Sequence, residues 1–136
     1  MLDRLNVIKI CYSTGFFESL YPILSDDIVL ESQWVFEPCT GRQKVESYFS
    51  GKGKTLRLRN CCPQCEIVQL HGYQEGKLCM YMSQSLADKT NGVIVELSLN
   101  EQGLISRIDL CAPELYHFSP LENEVLRKRT INEEKE

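Results

Sequence analysis

Three cysteines within one short run, Cys61-Cys62-Pro63-Gln64-Cys65, are the residues whose types and spacing most directly suggest chemistry. A C-x-x-C pair can hold zinc or exchange disulfides. Structural zinc needs a second pair, and Cys39, His71 and Cys79 are scattered, with no further C-x-x-C or H-x-x-H spacing. A thioredoxin-type pair opens a helix in a βαβ unit, whereas this run precedes a predicted strand. A reduced loop without metal is the expectation. The only histidines are His71 and His117. His71 falls on a predicted strand, on one face with Gln69 and Tyr73, and is the first candidate for a proton carrier. His117 follows the last strand of the meander, in ELYHF. Neither has an acid at a recognisable spacing, so a packed or solvent-facing role is expected for both. A dyad of His71 with Tyr81 or Tyr73 is the one acid-base pair the sequence suggests. Glu96 and Arg107 fall near each other across the final predicted hairpin, so an ion pair between them is expected. Asp109 shares their face.

These residues sit in a chain of 136 residues, a length that fits one domain. A chain of this size buries enough surface to fold without staples. Apolar residues make up 43% and charged residues 25%, as in soluble globular proteins. The net charge of −4 argues against sequence-independent binding of nucleic acid, which needs clustered Lys and Arg. No run approaches the ~18–20 apolar residues of a membrane helix. The start, MLDRLNVIKIC, carries Asp3 and Lys9 and has no small-residue cleavage site after an apolar core. The expected location is therefore cytoplasmic. In that reducing compartment the seven cysteines form no disulfide framework.

Leu2, Leu5, Ile8 and Tyr12, with Val7 and Cys11, make a helical stripe that Ser13-Thr14-Gly15 interrupts. Phe16, Phe17, Leu20, Tyr21 and Leu24 suggest a second apolar helix, ending or tightening near Pro22. Ile28–Phe36 reads as a strand, with Leu30, Ser32 and Trp34 on one face. Thr40-Gly41-Arg42-Gln43 fits a capping box. Val45, Tyr48 and Phe49 then form a helix face, and Gly51 and Gly53 are expected to stop it. Glu66–Gln74, Lys77–Leu86, Gly92–Leu99 and Leu104–Ala112 read as four strands with short turns, hence an antiparallel meander. The pattern decays after Pro113. The expected division is a domain over residues 1–118 and a charged tail over 119–136, frayed, helical or disordered.

The fold class is α+β. The order of elements, with ILSDDIVLES, EPCTGRQKVESYF and VIVELSLNEQGLISRIDL, resembles SnoaL-like and ketosteroid isomerase-like proteins of the nuclear transport factor-like superfamily. The resemblance covers about Leu2 to Ala112. It implies a curved antiparallel sheet wrapped around N-terminal helices, a cone-shaped α+β barrel with a central pocket. Ketosteroid isomerases use an Asp base on the first strand, a Tyr from the first helix and a protonated Asp on the penultimate strand. Counting back from Gly41 puts the first position at Ser32, and the other two match Ile8 and Val95. A one-residue slip would bring in Glu31 or Glu96, but would turn Leu30 and Trp34, or Val95 and Leu97, outward. Isomerase chemistry is therefore not expected.

The implied pocket lining is Leu30, Ser32, Trp34, Tyr48, Val95, Leu97, Ile108 and Leu110, with His71 and Tyr81 as polar additions. The same apolar residues would also serve as packed core. The leading expectation is binding of a small apolar molecule, with no cofactor, by a chain that forms a homodimer through its sheet. The alternative is a non-catalytic interaction module, dimeric through the outer face of the sheet.

Overall fold

The computed structural model describes residues 1–121 apart from 36, 73 and 89. The first helix, α1, spans Leu2–Thr14 and buries Leu2, Leu5, Ile8, Cys11 and Tyr12, one stripe at helical spacing. Gly15 ends it with φ at +80°, and its amide bonds back to the Cys11 carbonyl at 2.8 Å. The predicted second helix is absent. Phe17 and Leu20 are buried from a turn, and the tightening expected at Pro22 is a 3-10 turn over Tyr21–Ile23.

The first strand, β1, covers Leu24–Ser32, four residues earlier than the sequence predicts at each end. It stops at Ser32 because that residue closes a turn. Its carbonyl takes the Val35 amide at 3.1 Å and its hydroxyl takes the Trp34 amide at 3.3 Å. Strand β2, Cys39–Thr40, folds back antiparallel on β1 and uses Thr40 in the ladder, so no capping box forms. Gly41 is the N-cap of helix α2, which runs Arg42–Leu58, straight through Gly51 and Gly53. Val45, Phe49, Gly53 and Leu56 face inward.

The four predicted strands form as β3 (Gln64–His71), β4 (Leu78–Ser83), β5 (Val93–Leu99) and β6 (Ile105–Cys111), each antiparallel to the next. Two pairings extend this meander. β1 adds to β6 in parallel, with Leu30 beside Ile108 and Ser32 beside Leu110. β7, His117–Pro120, adds to β3. The curved sheet has seven strands in the order β2-β1-β6-β5-β4-β3-β7 and does not close, so the cone is a sheet wrapped over two helices rather than a shut barrel. After β7, Leu121 is buried in the main core. The first three residues of the tail expected over 119–136 thus belong to the fold, Ser119 and Pro120 in β7 and Leu121 in the core, and the rest of it, 122–136, lies outside the described residues.

The concave face carries Ile67, Met80, Met82, Val95, Leu97 and Ile108 against the helices. Between the helices Tyr12 meets Phe17 edge-on at 5.0 Å, and Phe17 stacks on Phe49 at 4.9 Å. The convex face has its own cluster of Val68, Leu70, Cys79, Tyr81 and Ile94, covered by Leu86, Tyr116 and Phe118. The expected Glu96–Arg107 pair is not made. A register shift between Ser98 and Leu99 sets Asp109 opposite Glu96, and Arg107 opposite Ser98. Arg107 pairs with Glu31 at 2.8 Å and Asp109 at 3.0 Å, while Glu96 takes Lys77 at 3.0 Å. No helix among the described residues is long and apolar enough to cross a membrane.

The turn between β4 and β5 is held by Asp88. Its carboxylate accepts from the Thr90 amide at 2.9 Å, the Thr90 hydroxyl at 2.7 Å and the Asn91 side-chain amide at 2.8 Å. These bonds, the Thr90 hydroxyl first, hold the carboxyl down at about 2.

Two predictions follow from these geometries. A Cβ on Gly53 would stand 2.4 Å from the Gly15 carbonyl oxygen, whereas one on Gly51 meets nothing within 4 Å. Gly53→Ala is expected to destabilise by about 1–3 kcal/mol through overpacking, and Gly51→Ala to stabilise by about 0.5–1 kcal/mol. Urea midpoints of the two variants should move in opposite directions. For Asp88, the folded carboxyl is more acidic than the unfolded one, whose value is about 3.9. Its contribution is therefore complete above that value and is lost as pH falls through about 2. The Thr90 amide shift in NMR should titrate near that lower value, and Asp88→Asn should abolish the titration.

Candidate ligand site at the mouth of the cone

Ser32 lies beside Leu110, Leu110 beside Val95, and Val93 beside Met82, so these residues share one end of the sheet. Two pockets open there along α2. The smaller, about 80 Å³, is lined by Leu30, Ser32, Val35, Glu37, Cys39, Tyr48 and Leu110. The larger, about 270 Å³, has apolar walls from Tyr12, Leu56, Pro63, Met82 and Val93, with Lys52, Cys61, Ser83, Gln84, Asn91 and Gly92 completing it. Tyr48, Lys52 and Leu56 come from successive turns of α2, which lines both pockets.

The structure brings together four of the residues that the sequence nominates: Leu30, Ser32, Tyr48 and Leu110 line the smaller pocket. Val95, Leu97 and Ile108 are fully buried core. Trp34 stands in the turn after β1, 59% exposed, because the strand ends two residues before it. His71 and Tyr81 lie elsewhere. Glu66 is opposite Tyr81, so His71, five residues further along β3, is displaced along the sheet and faces the other side. Tyr81 belongs to the convex cluster, and its hydroxyl donates to the Asp88 carbonyl. No His71–Tyr81 dyad can form, and Tyr73 lies outside the described residues.

His71 does have an acid partner, across the turn rather than along a strand. Its Nδ1 stands 3.1 Å from Glu75 Oε1, and its Nε2 2.6 Å from Ser119 Oγ. The Gly72 amide donates to Glu75 at 2.6 Å. The His71 contact first, then the amide, draws the Glu75 carboxyl below its ordinary value. The order Ser-His-Glu is that of a nucleophilic triad. Here, however, the His71 and Glu75 side chains are 42% and 66% exposed, so water competes for each contact. The row ties edge strand β7 to the turn after β3.

Cys61 and Cys62 are partly buried and Cys65 is buried, all as free thiols. Among the described residues no three His, Cys, Asp or Glu side chains are grouped as a metal ion would need. Burial pushes the Cys65 thiol up, which makes it a poor nucleophile.

Tyr12 is the residue that sequence reasoning placed only as core. It lies one helical turn beyond Ile8, on the same face of α1. It is 1% exposed, and among the described residues its hydroxyl has no hydrogen-bond partner. Burial raises its pKa well above the ordinary tyrosine value, so the phenol stays protonated and can donate. In the sequence it continues an apolar stripe, and nothing there distinguishes a wall tyrosine from a packed one.

No family model matches the sequence, and no curated protein matches it. Solved structures do match its shape. A protein with a cystatin-like fold from Silicibacter pomeroyi aligns over 94% of this chain and 82% of its own, with 17% identity and a TM-score of 0.55. An NTF-2 like protein of unknown function from Burkholderia xenovorans aligns over 93% and 89%, at 19% identity and a TM-score of 0.50. A SnoaL-like protein of unknown function from Burkholderia thailandensis aligns over 84% and 89%, at 8% identity and a TM-score of 0.52. The chain has the cystatin-like α+β fold of these NTF2-like and SnoaL-like proteins.

Proposed function

We propose that the protein binds a small, largely apolar molecule at the mouth of the cone, with a ligand oxygen accepting from Tyr12. The observation that carries this reading is the Tyr12 hydroxyl, buried without a partner on a residue that lines the 270 Å³ pocket. Leaving a hydroxyl buried and unpaired costs about 1–3 kcal/mol. Phenylalanine would fill the same space without that cost. A carbonyl, ether or carboxylate seated deep in the pocket would supply the missing acceptor once the side chains covering the hydroxyl shift aside. The reading does not include isomerisation by a strand carboxylate: the resemblance matches that position to Ser32, and matches the other two to Ile8 and Val95, both buried apolar residues. Glu37 is the one carboxylate lining either pocket, and it comes from the segment after β1. We place this activity in the cytoplasm, where seven unpaired thiols are stable.

The test uses Prodan, a neutral naphthalene dye with one ketone oxygen. Tyr12→Phe is expected to keep or raise stability by about 1 kcal/mol while weakening Prodan binding about tenfold. Equal Prodan binding by both proteins would remove the tyrosine from the site. A clear loss of stability without ligand would show that the hydroxyl already has a partner.

The alternative reading is a non-catalytic homodimer joined through the convex face. It draws on Glu31, Arg107 and Asp109, an ion-paired row on that face. Sedimentation at micromolar concentration tests this alternative. A dimer that loosens with salt supports the alternative, and a monodisperse monomer removes it.

A further inference from the structure

We infer that the ligand of the larger pocket is an anionic amphiphile, an apolar carboxylic acid, whose carboxylate is met by Lys52. This rests on the binding reading above and names the substrate class of the same site. Lys52 is the one charged side chain in the lining of that pocket. Among the described residues it has no ion-pair or hydrogen-bond partner, as is also true of Lys44, Lys54 and Arg59, but those three line neither pocket. It is exposed and lies four residues after Tyr48 and four before Leu56, on the side of α2 that lines both pockets.

The rest of the rim is neutral, and two of its amides are committed. Gln84 Nε2 donates to the Cys61 carbonyl at 2.9 Å, and Asn91 Nδ2 donates to Asp88 at 2.8 Å. The Lys52 ammonium is therefore the one cationic donor of this lining, and the Tyr12 and Ser83 hydroxyls have no acceptor among the described residues, the Ser83 oxygen only accepting from the Ser85 amide. Glu37 lines the neighbouring pocket, so no carboxylate in this lining competes for the cation. A cation and hydroxyl donors among apolar walls suit a carboxylate on a hydrocarbon body.

Isothermal titration with sodium octanoate and with 1-octanol, at neutral pH and low salt, tests this. The two probes share a chain and differ in the head group. Octanoate is expected to bind the wild-type protein about tenfold tighter than octanol. Lys52→Met, which keeps the stem and loses the charge, should erase that difference and leave octanol affinity unchanged. Lys52→Arg should retain it. Equal binding of acid and alcohol by the wild-type protein overturns the anion and leaves the pocket. Loss of octanol binding in Lys52→Met also overturns it, because the substitution would then be disturbing the pocket itself rather than the partner of the head group. Binding of neither probe removes the pocket reading itself and this inference with it.

Discussion

The two helices touch backbone to backbone, and the rest of the mouth follows from that contact. Gly53 of α2 passes so close to the Gly15 carbonyl that no side chain fits between them. Arg57, one turn further on, donates to the same carbonyl and lies over the Phe16 ring at 4.4 Å. Helices separated by side chains pack about 8–10 Å apart. Removing the side chain at the crossing lets Phe17 and Phe49 stack directly, with Tyr12 edge-on to both rings. The Tyr12 ring is fixed by these two aromatic contacts, and among the described residues its hydroxyl has no partner.

With α2 fixed in this way, the sheet supplies the other walls. The parallel pairing of β1 with β6 brings Ser32 beside Leu110, and the antiparallel ladder carries that level across to Val93 and Met82. One end of the sheet therefore gathers residues from far apart in the chain beneath a single helix. His71 and Ser119 mark a different part of the sheet, at the pairing of β3 with β7. Tyr81 faces the convex side, where Tyr116 and Phe118 cover it. A sheet face and a sheet end are separate addresses. The nominated polar residues fall on three of them.

The sequence was legible where structure is local. The four strands of the meander are runs of apolar and β-branched residues, and their turns carry Gly, Asn and Asp, so elements and order could be read directly. Where tertiary contacts decided, local signals misled. Trp34 and Val35 favour a strand by type, yet β1 ends where its partner β6 ends, with the Gln33 amide on the Leu110 carbonyl as the last bond. Gly51 and Gly53 look like a helix stop, but one of them is the crossing point of two helices, a fact only the fold contains. The parallel partner of β1 lies more than seventy residues away, beyond any pattern of spacing. Leu30, Ser32, Tyr48 and Leu110 could be placed together through the family resemblance. Tyr12 could not, because a buried tyrosine with a satisfied hydroxyl and one without read alike.

The burial that isolates Tyr12 also limits what the mouth can do. Burial raises the Tyr12 and Tyr48 phenols, so both stay protonated at neutral pH. The Ser32 hydroxyl already accepts from the Trp34 amide. Apart from Glu37, the groups lining the two pockets are donors, thiols, amides or hydrocarbon. A wall built mainly from phenols, amides and hydrocarbon offers hydrogen bonds outward, a chemistry suited to holding an oxygen-bearing molecule in a fixed orientation at little reorganisation cost.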